Sequence, residues 1–229
     1  ADLRADDYLT TNYDTFLRRI LELRGYEQKS SQHSETKYSI RRHACMENKE
    51  HSHSCRIWNI HGTYNDKPDS FTIQYGYEHY CGCIGKIDNY LKGTYTYQLH
   101  KKEVSVPRMY KKLQDYKLRK GESWIDAFFF SNIHILGLNL SPEEIDLLYI
   151  LNLRSRWLRD PKIKNRIRNR IVFYGQPTNA VKALLEQFSV EVRSSSPEPP
   201  CENAKNEAYE DYYKRVLKDI KSEMGQSGN

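Results

Sequence analysis

The sequence predicts an α/β fold, a parallel sheet with helices between its strands and a helical insertion. Three observations predict it. From residue 133 to 192 short β-prone runs alternate with segments of helical period, and that order predicts parallel strands joined by right-handed crossovers. Near the start, two β-prone runs each pass into polar residues, as strands do where their carboxyl ends face a ligand crevice. Between these regions, residues 77–120 read as largely helical with poor periodicity, which suits an inserted lid or accessory subdomain.

The elements follow in order. Residues 7–11 read as a buried strand, after which Asp14 can cap a helix carrying Leu17, Ile20 and Leu21 at helical spacing. Residues 25–55, rich in Ser, His and charge, read as an exposed excursion. A strand ending at His61 precedes a turn at Asn65–Asp69 and an alternating strand at Ser70–Tyr75. Ile133, Ile135 and Leu136 mark a strand, and Ser141-Pro142-Glu143-Glu144 reads as a capping box with proline at the first helical position. The helix runs from Ile145 to Leu158, a strand from Ile171 to Tyr174 ends at Gly175, and Val181, Leu184, Leu185 and Phe188 mark another helix. A short strand at Val190–Val192 closes a domain assigned to residues 1–192. Residues 193–205 read as a linker by their Ser and Pro content, and 206–229 as a tail with one short helix.

The chain has 229 residues, enough for one core, with 38% hydrophobic and 29% charged residues. Mean hydropathy is -0.84, and no apolar run approaches the roughly 18 residues of a membrane helix. No signal peptide is visible, and the start at Ala1, a few residues before the first strand, reads as that of a piece of something longer. Five cysteines at no framework spacing point to a reducing, cytoplasmic setting. A net charge of +6 suits an anionic small ligand as well as nucleic acid.

The chemistry sits at two strand ends. Tyr8-Leu9-Thr10-Thr11-Asn12-Tyr13-Asp14 presents an amide that can hold a water, and Arg56-Ile57-Trp58-Asn59-Ile60-His61-Gly62 presents an imidazole that can take a proton. Together they suit cleavage of a glycosidic bond. Gly137 and Asn139 follow a later strand, before a helix whose amino end is an anion site, and Gly175 follows the next.

The pair TTNYD and Ile60-His61-Gly62 resembles the corresponding motifs of sirtuins, and is closer to the sirtuin-like NAD-hydrolysing domains of bacterial antiphage defence proteins. Gly76-Tyr77-Glu78-His79-Tyr80, Ile87-Asp88-Asn89-Tyr90-Leu91 and Ile135-Leu136-Gly137-Leu138-Asn139-Leu140-Ser141 are similar to that group, so the likeness spreads over residues 7–192. The resemblance implies a Rossmann-like fold and hydrolysis of NAD, as substrate, to nicotinamide and ADP-ribose. It implies Asn12 and His61 as catalytic, and Thr10, Thr11, Asp14, Gly62, Gly137, Asn139 and Gly175 as NAD contacts. A homo-oligomer or an effector domain are the partners it leaves open, and a protein deacylase or a non-catalytic interaction domain are the alternative activities. The glycine-rich turn that opens such domains has no counterpart, since Gly82-Cys83-Ile84-Gly85 follows no predicted strand. The N-terminal part of the domain is therefore expected to be missing, and NAD binding by these residues alone to be weak.

His43, Cys45, His51, His53 and Cys55 invite a zinc reading, but they match no common zinc spacing and sirtuins carry paired CxxC motifs that this chain lacks. A solvated polar loop is favoured and no metal is expected. The basic run from Arg154 to Arg170 reads as a solvated helix and loop, with Trp157 the only interleaved aromatic, so nucleic acid is not an expected partner. Tyr75, Tyr77, Tyr80, Tyr90, Tyr95 and Tyr97 read as half-buried packing.

Overall fold

The computed structural model describes residues 3–32, 38–64, 72–140, 144–193 and 206–226. The chain divides into two compact units, Ala1–Phe129 and Phe130–Asn229. Both are mixtures of helix and sheet, and both contain parallel strands.

The first unit opens with strand β1 (Asp7–Thr10) and helix α1 (Phe16–Leu23), then strands β2 (Glu27–Gln32), β3 (His43–Asn48) and β4 (His53–Asn59). They form one sheet in the order β1-β4-β3-β2, with β1 parallel to β4 and the other pairs antiparallel. The exposed excursion expected at 25–55 is therefore largely an antiparallel hairpin. The register explains it. Ala44 pairs with Ile57 and Met46 with Cys55, so every second residue faces one side. Met46, Cys55 and Ile57 are buried there with Leu21 and Tyr26, and Tyr8 and Leu17 pack against them. Each aliphatic side chain so buried contributes about 1.5–3 kcal/mol. The polar residues between them occupy the other side and mask the period.

On that other side Asp7 pairs with Arg56 across the parallel strands. The Arg56 guanidinium donates to both Asp7 carboxylate oxygens at 2.7 and 2.9 Å and to the Gly121 carbonyl at 2.7 Å, while the Trp58 indole N–H donates to Asp7 at 2.7 Å.

Residues 72–75 form no strand, and Ser70 and Phe71 lie outside the described residues. Helix α2 (Tyr77–Lys92) follows, then a hairpin of β5 (Thr96–Leu99) and β6 (Lys102–Ser105), helix α3 (Met109–Gln114) and, ending at the unit boundary, the short helix α4 (Ala127–Phe130). The stretch 77–120 is thus helix, hairpin, helix. Tyr95 and Tyr97 are buried, Tyr90 entirely, whereas Tyr75 and Tyr77 are 79% and 76% exposed rather than half-buried.

The second unit holds β7 (Ile133–Leu136), α5 (Ile145–Arg159), β8 (Ile171–Tyr174), α6 (Asn179–Gln187), β9 (Glu191–Arg193) and α7 (Asn206–Gln226). Its sheet is fully parallel, in the order β7-β8-β9, as the strand–helix alternation predicts. All four residues of β8 are buried, as the central strand of a covered parallel sheet requires. On α7 Tyr212, Val216 and Ile220 form a buried stripe at helical spacing. Ser141, Pro142 and Glu143 of the expected capping box lie outside the described residues, as does the expected linker beyond Arg193.

Candidate functional site

Strands β1 and β4 run side by side in the same direction and end together, Thr10 opposite Asn59. The two chains stay tied beyond that point. The Ile60 N–H donates to the Thr10 carbonyl at 2.9 Å, the Asn59 side-chain amide to the Asn12 carbonyl at 3.2 Å, and the Tyr64 N–H to the Tyr13 carbonyl at 2.7 Å. The Asn12 N–H donates to the Thr10 hydroxyl at 3.1 Å. Both backbone groups of Asn12 are therefore occupied, and its exposed side chain stands at a fixed root. Asp14 is exposed and accepts from the Phe16 N–H at 2.8 Å, so its carboxylate shapes the entry into α1. Thr11 lies half-buried between these residues.

A third segment closes over the second. The Gln74 N–H donates to the His61 carbonyl at 2.8 Å, and the Tyr13 hydroxyl donates to the Gln74 carbonyl at 3.0 Å. Thr63 and Thr72 exchange hydrogen bonds at 3.1 and 3.0 Å. Gly62 permits this crossing, since a Cβ there would stand 2.1 Å from the Thr72 carbonyl oxygen. His61 is only 2% exposed, its ring edge-on to Tyr80 at 5.1 Å. Beside it Gln74 is buried, and its Oε1 meets no donor among the described residues.

Tyr13, Asn59, Gln74 and Tyr80 are the parts that sequence reasoning missed. Tyr13, Asn59 and Tyr80 lay inside quoted motifs but carried no chemistry that singled them out, and Gln74 enters only through the fold.

The second unit holds the other three expected contacts. Gly137 follows β7 and Gly175 follows β8, at the ends of adjacent parallel strands, with Asn139 exposed two residues on. A Cβ on Gly137 would stand 3.2 Å from the Tyr213 hydroxyl of α7, and the Gly175 N–H donates to the Arg193 carbonyl at 3.2 Å. Gly137 thus lies close against α7 within the unit.

The sheet divides the His/Cys cluster. Cys45 pairs with Arg56 and Met46 with Cys55, so His43 and Cys45 face one side while His53 and Cys55 face the other. Both His53 ring nitrogens are engaged, Nδ1 with the Tyr26 hydroxyl at 2.8 Å and Nε2 with the Arg4 carbonyl at 3.1 Å. Because a carbonyl only accepts, Nε2 carries the proton and Nδ1 accepts from the tyrosine. Burial pushes the Cys55 thiol up to about 11, far from the thiolate a metal needs. Burial likewise holds the His43 imidazole below its ordinary value, and its Nδ1 donates to the Arg41 carbonyl at 2.9 Å.

Behind the hairpin of β5 and β6 the first unit buries a charge cluster that the sequence did not disclose. Lys112 is fully buried, its ammonium 2.7 Å from the Tyr90 hydroxyl, 3.2 Å from both Asp126 oxygens and 3.4 Å from Glu122. Tyr90 donates to Asp126 at 2.9 Å. Burial raises the Asp126 carboxyl, against the pull of Lys112 and the Tyr90 hydroxyl, and burial also raises the Tyr90 phenol well above its ordinary value. The group ties α2, α3 and the turn before α4 together.

Comparison with known families adds one finding. Residues 6–105 match the family model of the SIR2-like domain. The matched stretch contains both strand-end motifs and supports a sirtuin-like domain with an NAD-related role. No curated protein and no solved structure matches the chain.

Proposed function

We propose that this chain carries the catalytic strand ends of an NAD glycohydrolase, which releases nicotinamide from NAD in antiphage defence. The observation that carries the reading is the junction of TTNYD with Ile60-His61-Gly62 at the ends of two neighbouring parallel strands. Loss of nicotinamide passes through an oxocarbenium-like ribose, and water captures the sugar. In this reading the Asn12 amide orients that water. His61 accepts the proton from the water or a ribose hydroxyl, while Asp14 and Thr10 hold the turn and meet the ribose side. Gly62 lets the chain pass close beneath the ligand. Gly137, Asn139 and Gly175 follow β7 and β8 within the second unit, and the resemblance alone makes them NAD contacts.

One observation favours a second reading. An imidazole closed off under Tyr80 suits a domain that keeps the fold as a sensor or scaffold without turnover. Nicotinamide release from NAD separates the two. The full-length parent should release it while these residues alone release little, and folded Asn12→Ala and His61→Ala in that parent should each be slowed by roughly 100-fold or more, the usual contribution of a positioned acid–base group. Wild-type rates in folded His61→Ala would remove the base assignment, and no release under any condition would favour the scaffold.

A further inference from the structure

Outside the candidate site the first unit carries a groove of about 580 Å³, open to solvent and lined by Lys92, Gly93, Ser105, Val106, Arg108 and Lys111 with Pro107. That volume falls in the range of small-ligand sites, roughly 300–1,000 Å³. Three cations line it and no carboxylate does. Lys92 shares its charge with Asp88 one helical turn back, at 2.6 Å. Arg108 and Lys111 pair with no carboxylate among the described residues. None of the lining residues belongs to the strand-end junction.

The two walls are held at a fixed spacing. Lys92 ends α2, and Arg108 and Lys111 stand at the start of α3. A Cβ on Gly93 would come within 2.6 Å of the Arg108 backbone nitrogen, so only glycine allows the end of α2 to meet α3 this closely. Beneath the groove, Tyr90 of α2 and Lys112 of α3 are joined at 2.7 Å within the buried charge cluster. Each lies one or two residues from a groove cation. Met109, Lys112 and Leu113 turn inward and are buried, while Arg108 and Lys111 turn out to solvent. The walls are therefore set by the core, and a ligand need not order them.

We infer that this groove binds the phosphate groups of a small anionic ligand of nucleotide size, at a site separate from the strand-end junction. A diphosphate matches a cluster of one guanidinium and two ammonium groups, with Arg108 able to fork onto two oxygens and the lysines acting as point charges. Phosphates of a nucleic-acid backbone share this chemistry, and the length of the probe distinguishes the two sources.

The experiment uses calorimetric titration of the protein with inorganic pyrophosphate, and separately with a 20-nucleotide single strand. Wild-type protein should bind pyrophosphate with an affinity that falls as salt rises. Arg108→Gln and Lys111→Gln should each weaken it about tenfold, the effect of losing one charge-assisted contact. Lys101→Gln, on the turn between β5 and β6, should leave it unchanged. Gly93→Ala should weaken binding without removing any charge, which a diffuse basic surface would not show. Absence of pyrophosphate binding by the wild-type protein, or equal loss in Lys101→Gln, would overturn the site. Strand binding far tighter than pyrophosphate, and lost in the same variants, would replace the small ligand with a nucleic-acid backbone. None of these readouts uses NAD hydrolysis, so they stand apart from the fate of the proposed activity.

Discussion

The two sheets end their parallel strands in opposite ways. In the first unit the ends of β1 and β4 are stitched through Asn59, Tyr13 and Gln74, and Asn12 and Asp14 are left pointing to solvent. In the second unit β7 and β8 end at glycines, and the bare Cα of Gly137 faces the Tyr213 hydroxyl of α7. The first arrangement spends many hydrogen bonds on holding polar side chains in the open. The second uses its glycine for helix packing. A strand end in an α/β unit is thus a place where function is possible, and the neighbours decide whether the position is used for chemistry or for close approach.

The largest expected effect breaks the support behind the first unit. Lys112→Ala leaves buried Asp126 and half-buried Glu122 without their cation, and should cost about 3–5 kcal/mol by chemical denaturation. Lys112→Met combined with Asp126→Leu removes both charges of the closest pair and should recover part of that loss, unless Glu122 carries most of the penalty. Next comes the junction. His61→Ala and Asn12→Ala should lower nicotinamide release by about 100-fold while thermal unfolding of Asn12→Ala stays near wild type, because its side chain is exposed.

Gly137→Ala sharpens the contrast. It meets Tyr213 at 3.2 Å on a backbone with φ +64, so it should cost about 1 kcal/mol or more. Adding Tyr213→Phe should return the packing part and leave the backbone part. If Gly137 served a ligand instead, the second substitution would restore nothing.

A smaller effect concerns pH. His134 of β7 contacts the Tyr174 hydroxyl at 3.0 Å, and burial first, then Arg193 and Arg170, holds its imidazole below the ordinary 6.5. The unfolded chain then binds the proton more readily than the folded one. The associated stability is complete above about pH 6.5 and is lost as pH falls through the lowered value. His134→Gln should flatten the acid limb of a melting-temperature profile, and an unchanged limb would assign it to other groups, His43 among them. Elemental analysis gives the last check, with no stoichiometric zinc expected. One zinc per chain, lost on replacing Cys45 and Cys55, would require one of the thiols to leave the face the register gives it.

Much of the second unit was legible in the sequence. Ile133 to Leu136, Ile145 to Leu158 and Ile171 to Tyr174 are long or strongly apolar runs, and their period alone places a strand, a helix and a strand. The hairpin of β3 and β4 was not legible, because its inward Met46 and Cys55 alternate with His, Glu and Arg that read as solvated. Arg154 shows the same limit. It stands in a run of basic residues that reads as solvated, yet it is 2% exposed, and burial lowers its guanidinium to about 10. It donates to Asn169, and its Nε and Nη1 meet no partner among the described residues. Composition reports how many charges a chain has and says nothing of which of them the fold encloses.

By itself the sequence determined the alternation of strand and helix, the two strand-end motifs and the residue types they present, since these follow from local period and turn chemistry. Tertiary structure alone decided that β1 lies beside β4, that Gln74 and Tyr80 close over His61, and that Lys112 meets Asp126 and Tyr90 in the core. The physical reason is range. Hydrogen bonds along a strand or helix act between residues a few positions apart, whereas the burial of a charge or an imidazole depends on segments tens of residues away folding over it.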